Sequence, residues 1–223
     1  MTAKAGPIGP VAALVLAGGR ASRMGGVDKP GIEVGGRSML ATVATAASGA
    51  GARHVVVVGP VRPKLAGALP GAPRVEFITE QPPGAGPVPA LRAGLSMVTE
   101  PWLLLLAADL PFVRDSHLRE LVAAAERSGT GSLLVDDNGM PQWLASCWRT
   151  AGLRTALGAY PGSSLGGLLG PLRPAEVAVA EASQGPPWLD CDTREDVVAA
   201  RALTRGSEAD DERAGGLDRR GQR

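Results

Sequence analysis

Four apolar runs alternate with segments of helical period, and this alternation narrows the possible folds more than any other feature of the chain. The runs are Val11–Val15, His54–Val58, Val75–Ile78 and Trp102–Ala108. His54–Val58 is β-branched along most of its length and is closed by Gly59-Pro60, as a buried strand requires. Between the runs, Ser38 can cap a helix whose apolar positions Met39, Leu40, Val43 and Ala47 recur at helical spacing until Gly49–Gly51 end it. A short helix is expected within Arg62–Leu69, and a longer one carries Val88, Leu91, Leu95 and Val98 on one face. A third, capped by Asp115, buries Leu118, Leu121 and Val122. Buried strands separated by helices predict an α/β fold: a three-layer, Rossmann-like, mostly parallel sheet with helices on both faces. Ligands of such sheets lie beyond the carboxyl ends of the strands.

The second half is less regular. Ser132–Val135 and Trp143–Trp148 flank Asp136-Asp137-Asn138-Gly139, a hairpin turn signal. Trp143 and Trp148, five apart, are expected to face opposite sides of their strand. Helices are expected over Thr150–Ala159, Leu165–Leu169 and Thr193–Leu203. A chain of 223 residues with 44% hydrophobic residues can bury one full core. The expected organisation is a lead over 1–10, one domain over 11–204, and a charged, glycine-containing, disordered tail over 205–223.

A net charge of +1 advertises no basic surface for nucleic acid, and 3% aromatic residues leave little with which to stack single-stranded bases. Met1–Pro10 has no secretory pattern and no run is long enough for a membrane span. Cys147 and Cys191 do not form a metal-ligand set with the two histidines. A reduced cytoplasmic setting follows as the expectation. His54 reads as a strand-entry residue and His117 as an exposed helix residue, with no nucleophile at a spacing that would make a hydrolytic triad.

The first strand runs straight into Leu16-Ala17-Gly18-Gly19-Arg20-Ala21-Ser22-Arg23-Met24-Gly25-Gly26-Val27-Asp28-Lys29-Pro30-Gly31. Glycines let amide groups approach phosphate oxygens, and Arg20, Arg23 and Lys29 can neutralise the charge they meet. The Walker pattern needs Lys-Ser or Lys-Thr after its last glycine, whereas Gly26 is followed by Val27-Asp28-Lys29. The dinucleotide fingerprint opens a helix, which Pro30-Gly31 opposes. The string Leu-Ala-Gly-Gly-x-x-x-Arg-Met-Gly-x-x-x-Lys resembles instead the signature of sugar-nucleotide and cofactor nucleotidyltransferases. It is most similar to that of the molybdenum cofactor guanylyltransferases.

That resemblance implies a fold of the nucleotide-diphospho-sugar transferase type, GTP as donor, a molybdopterin-type molybdenum cofactor as acceptor, and Mg²⁺. It also implies contact with cofactor-synthesis or molybdoenzyme partners. Leu16 and the loop amides of Ala17, Gly18 and Gly19 would position the triphosphate. Lys29 suits the charge developing at the α-phosphate, and the fork of Arg23 suits the β and γ oxygens. Asp28, between them, is expected to fix the loop through a local ion pair. Asp109 ends an apolar strand, where it either holds a hard cation or caps the turn before Pro111. Its setting, Ala108-Asp109-Leu110-Pro111, resembles the family's Ala-Asp-x-Pro metal motif and implies catalysis, nucleotide binding and metal binding there.

Asp190 and Asp192 lie two apart, and Asp192 can cap the helix from Thr193. Leu189–Asp196 also resembles the family's Asp-x-Asp-Thr-Pro-Glu-Asp ending, with Arg194 in place of Pro, and that resemblance implies Asp192 as a second metal residue. Glu80 followed by Gly86-Pro87 resembles the acidic residue and Gly-Pro-Leu-Ala-Gly that sit by the guanine and ribose. Gly59-Pro60 replaces an Asn that often touches the nucleotide. The alternatives are a cytidylyltransferase for the same cofactor, whose loop typically reads Ala-Ala-Gly, another phosphate acceptor, or a nucleotide-binding module without turnover.

Overall fold

The computed structural model describes residues 9–18, 28–66, 69, 71, 73–179 and 185–218. In chain order the elements are β1 (Val11–Leu16), a 3-10 turn (Lys29–Gly31), the hairpin of β2 (Glu33–Val34) and β3 (Arg37–Ser38), and α1 (Met39–Gly49). There follow β4 (Ala52–Val58), α2 (Pro63–Ala66), β5 (Arg74–Ile78), α3 (Pro87–Leu95), β6 (Trp102–Ala107) and α4 (Asp115–Ser128). The chain continues with β7 (Gly131–Val135), β8 (Pro141–Arg149), α5 (Thr150–Ala159), α6 (Leu165–Leu169), β9 (Ala175–Val177) and α7 (Arg194–Asp218). Seven strands form one sheet in the order β5-β4-β1-β6-β8-β7-β9, and β8 alone runs antiparallel to its neighbours. The expected three-layer, mostly parallel architecture is present.

Side-chain alternation along the central strands builds two cores. Ala13, Val15, Val55, Val57, Leu104 and Leu106 face α1 and α4. Ala12, Leu14, Val56, Leu103 and Leu105 face α3, α5 and α6. Burying each large aliphatic side chain is worth about 1.5–3 kcal/mol, so the paired faces dominate stability. On the second face α3 lies very close to β1. A Cβ placed on Gly94 would come within 2.1 Å of Leu14 Cδ1, so only glycine fits there. A third, smaller cluster of Val34, Met39, Phe112, Cys191, Val197 and Ala200 ties α7 to the β2–β3 side of the molecule. Arg201 Nε reinforces it by donating to the Glu33 carbonyl at 2.9 Å.

Ser38 caps α1 as expected, accepting from the Ala41 amide at 3.3 Å. Several other local expectations change. Asp115 is the first residue of α4 rather than its cap. Arg114 is the cap, and its amide donates to Nδ1 of His117 at 3.3 Å. His117 is accordingly buried, not exposed. His54 is also buried, with Nε2 2.7 Å from Glu76 and Nδ1 3.3 Å from Glu100.

The pairing of β7 with β8 slips between Leu133 and Leu134, whose partners are Ser146 and Gln142. The extra residues on β8 break its two-residue period. Trp143 and Trp148 therefore pack into the same core, contrary to the simple alternation. Finally, α7 runs to Asp218, past Leu203 and into the stretch 205–218 expected to be a disordered tail. Glu208, Ala209, Glu212, Arg213 and Ala214 favour helix while Gly206, Gly215 and Gly216 do not, so intrinsic propensity does not account for the extension.

Candidate active site

The carboxyl ends of β1, β4 and β6 share one rim of the sheet. The Ala108 amide donates to the Leu16 carbonyl at 3.1 Å, which sets the end of β6 directly beside the end of β1. A cavity of about 510 Å³ opens on this rim. Leu16, Gly18, Glu80, Gly86 and Asp109 line one side of it, and Gln142, Trp143, Leu165 and Trp188 line the other. The second wall exists because β8 returns along β6 and because the slip in its register turns Trp143 toward α6. There the indole meets the space left by Gly166 and Gly170, one helical turn apart.

Lys29, on the 3-10 turn, joins residues distant in sequence. Its Nζ lies 2.6 Å from Asp192 Oδ1 and also pairs with Asp109 Oδ2. Burial works against the ammonium, yet the hydrogen bonds and charges of Asp109 and Asp192 outweigh it and hold the Lys29 pKa above its ordinary value. Burial, together with the charges of Asp192 and Asp109, holds the neighbouring Asp190 carboxyl above the usual range. Burial pushes the Cys191 thiol up to about 11, so it stays protonated beside these acids. Asp192 does not cap α7. Thr193 does, with Oγ1 accepting from the Asp196 amide at 3.1 Å while Asp196 Oδ2 accepts from the Thr193 amide at 2.7 Å. This reciprocal box leaves the Asp192 side chain to face Lys29.

Glu80 is buried, and its Oε1 accepts the Gly84 amide at 2.8 Å. A Cβ on Gly18 would stand 3.5 Å from the same oxygen, so the loop after β1 and the loop after β5 meet at this carboxylate. Gly86 is the N-terminal flank of α3 with φ 109°, a conformation suited to glycine. Pro87 and Pro89 carry no N–H. Among the first three residues of α3 only Val88 therefore keeps a backbone N–H.

Leu16, Gly18, Lys29, Glu80, Gly86, Pro87, Asp109 and Asp192 are thus gathered at one rim. Gly19 and Arg23 lie outside the described residues. Ala17 differs from expectation. Its amide donates to the Val58 carbonyl at 2.9 Å and its side chain belongs to the core, so that amide is committed to the sheet rather than open to phosphate. Asp28 forms an ion pair with Arg62, 34 residues on, while the arginines of its own loop, Arg20 and Arg23, lie outside the described residues. Arg62 was not expected here. Its place just beyond Gly59-Pro60, at the carboxyl end of β4, is the positional signal that points to it.

A family model described as the MobA-like NTP transferase domain matches residues 13–177. The chain belongs to the MobA-like NTP transferase family. This transferase domain is 34% identical to the molybdenum cofactor guanylyltransferase of Ralstonia nicotianae over 61% of the chain and 67% of that protein. It is 32% identical to the molybdenum cofactor guanylyltransferase of Xanthomonas euvesicatoria pv. vesicatoria over 83% of the chain and 92% of that protein. Against several other curated relatives the matched stretch spans only 51–58% of their length. Molybdopterin-guanine dinucleotide biosynthesis protein A of Archaeoglobus fulgidus shares the fold, with a TM-score of 0.65 at 20% identity over 87% of this chain and 98% of that one.

The family is one of nucleotidyltransferases. Among the described residues of this MobA-like domain, no group of three or more His, Cys, Asp or Glu side chains is assembled to hold a metal. No helix among them is long and apolar enough to cross a membrane.

Proposed function

We propose that the domain transfers GMP from GTP to the phosphate of a molybdopterin-type molybdenum cofactor. The observation that carries this reading is the meeting of Lys29, Asp109 and Asp192 on the rim of the cavity lined by Gly18 and Glu80. The guanylyltransferase relatives supply the substrates. An oxygen of the acceptor phosphate forms a bond to the α-phosphorus of GTP. The bond from that phosphorus to the bridging oxygen breaks, and pyrophosphate leaves with the electron pair. No covalent bond to the protein is needed. The protein holds the two phosphates in line and offsets the charge that develops.

Lys29 is the residue assigned to the α-phosphate, since its flexible stem lets the ammonium turn toward an oxygen that gains charge. Arg23 is assigned to the β and γ oxygens. Glu80 accepts from the guanine N–H groups through carboxylate capacity beyond its bond to Gly84, with Gly86 and Pro87 forming the neighbouring wall.

Asp109 and Asp192 fit Mg²⁺. They are hard oxygen donors, already gathered about one cation, and Mg²⁺ takes one or two carboxylates with the rest from substrate phosphates and water. When bound, the ion supplies positive charge against the triphosphate oxygens. Two unpaired thiols, Cys147 and Cys191, each buried in a different cluster, support a reducing cytoplasmic setting.

The test is pyrophosphate release from GTP or CTP with the molybdopterin cofactor and Mg²⁺. Release from GTP is expected, lowered about 100-fold or more by Lys29→Ala or Asp109→Ala. A preference for CTP overturns the guanine assignment, and full activity in both variants overturns the site.

A further inference from the structure

Lys29 is assigned above to the α-phosphate, yet its ammonium lies between Asp109 and Asp192, on the same oxygens assigned to the divalent cation. Lys29 Nζ to Asp192 Oδ1 is 2.6 Å, a full charge-assisted hydrogen bond. Both carboxylates therefore already have a cationic partner that the chain itself provides. A second cation on those oxygens would face the ammonium at close range. The Lys29 side chain is 18% exposed and that of Asp192 49%, so water screens the repulsion in part, but the two cations would sit at contact distance, where a like-charge pair is still unfavourable.

We propose that Lys29 occupies the cation position, so that a divalent ion binds tightly only when a triphosphate draws the ammonium away. The inference rests on the assignment of Asp109 and Asp192 as the cation-holding pair. Two features make the exchange feasible. Lys29 is carried on a three-residue turn with no buried member, and its stem is long enough to swing without moving the sheet. A triphosphate also brings the negative charge that lets the ammonium and a divalent ion share one site, which two carboxylates alone do not supply. Metal and nucleotide then enter together, and Lys29 reaches the α-phosphate only once the ion has taken its place. One side chain thus serves both as a placeholder and as the later phosphate contact.

The experiment titrates Mn²⁺ into the full chain without nucleotide, following the loss of the free-ion paramagnetic resonance signal. The wild-type protein is compared with Lys29→Met and with Lys29→Met/Asp109→Asn. Lys29→Met is expected to bind Mn²⁺ at least about tenfold more tightly than the wild type. The double variant is expected to lose that gain. If wild type and Lys29→Met bind Mn²⁺ equally well, the placeholder role is wrong while the cation assignment stands. If neither binds it, the cation assignment itself fails and the inference fails with it.

Should Lys29→Met not fold, the wild-type melting temperature decides the matter. Magnesium chloride and potassium chloride at matched ionic strength are expected to give the same value. A rise specific to magnesium without nucleotide overturns the proposal.

Discussion

Lys29 and Asp192 stand 163 residues apart in the chain and 2.6 Å apart in space. The contact closes the rim of the sheet: the segment after β1 reaches across the end of β6 to the segment before α7. It depends on Thr193, not Asp192, capping α7, because the cap would otherwise hold the aspartate side chain on its own helix.

Removing charge from Asp192 should therefore act on turnover rather than on folding. Asp192→Asn is expected to lower kcat at least about tenfold, since an amide retains shape but loses the charge that steadies a cation. Its melting temperature should stay within about 2 °C of wild type, because the pair is partly exposed and worth little to stability. Steady-state pyrophosphate release beside differential scanning fluorimetry checks both halves.

Thr193→Ala supplies the complementary case. Losing the reciprocal box with Asp196 should cost about 1 kcal/mol through the helix start. Urea midpoints of the wild type and variant measure it, and an unchanged midpoint rejects the capping role.

Gly94→Ala should destabilise the fold by about 1–3 kcal/mol, because its Cβ has nowhere to go except into Leu14 Cδ1, 2.1 Å away. That corresponds to a fall of roughly 2–12 °C in melting temperature for a chain of this size. Leu14→Ala combined with Gly94→Ala should cost less than the sum of the two separate losses, since truncating Leu14 removes the atom that the added Cβ meets.

Arg62 and Asp28 hold the approach to Lys29 from the end of β4. Arg62→Met and Asp28→Asn are expected to raise KM for GTP by similar factors, with little further rise when combined. Such a cycle measures the pair directly, and independent additive effects would show that the two side chains do not act together.

His117 predicts a pH effect on stability. Burial first, and the nearby Arg114 charge second, lower its folded pKa below the ordinary 6.5. The unfolded chain then takes up the proton more readily than the native one. The stabilisation is complete above about pH 6.5 and is lost as the pH falls through the lowered folded value. The urea midpoint should drop between pH 7.5 and pH 5.5 (assay conditions, roughly one unit either side of the unfolded value) and drop less in His117→Gln.

Much of the architecture could be read from residue order, because strand and helix periods are local properties. The run Val11–Val15, the cap at Ser38, the apolar strand ending at Asp109 and the turn at Asp136–Gly139 all depend on neighbours within a few residues. So does the expectation that Gly18 and Asp109 share a rim, since both follow strands of a mostly parallel sheet. Tertiary packing supplied the rest. Nothing local tells β8 to lie between β6 and β7, and the register slip that turns Trp143 into the cavity wall appears only when two strands pair. The burial of His54 against Glu76 and Glu100 depends on strands and loops far apart in sequence. So do the commitment of the Ala17 amide to Val58 and the capture of Asp192 by Lys29. Hydrophobic period acts over one or two turns of chain, whereas hydrogen bonds and ion pairs act on distance in space, and only the folded sheet brings those partners within reach.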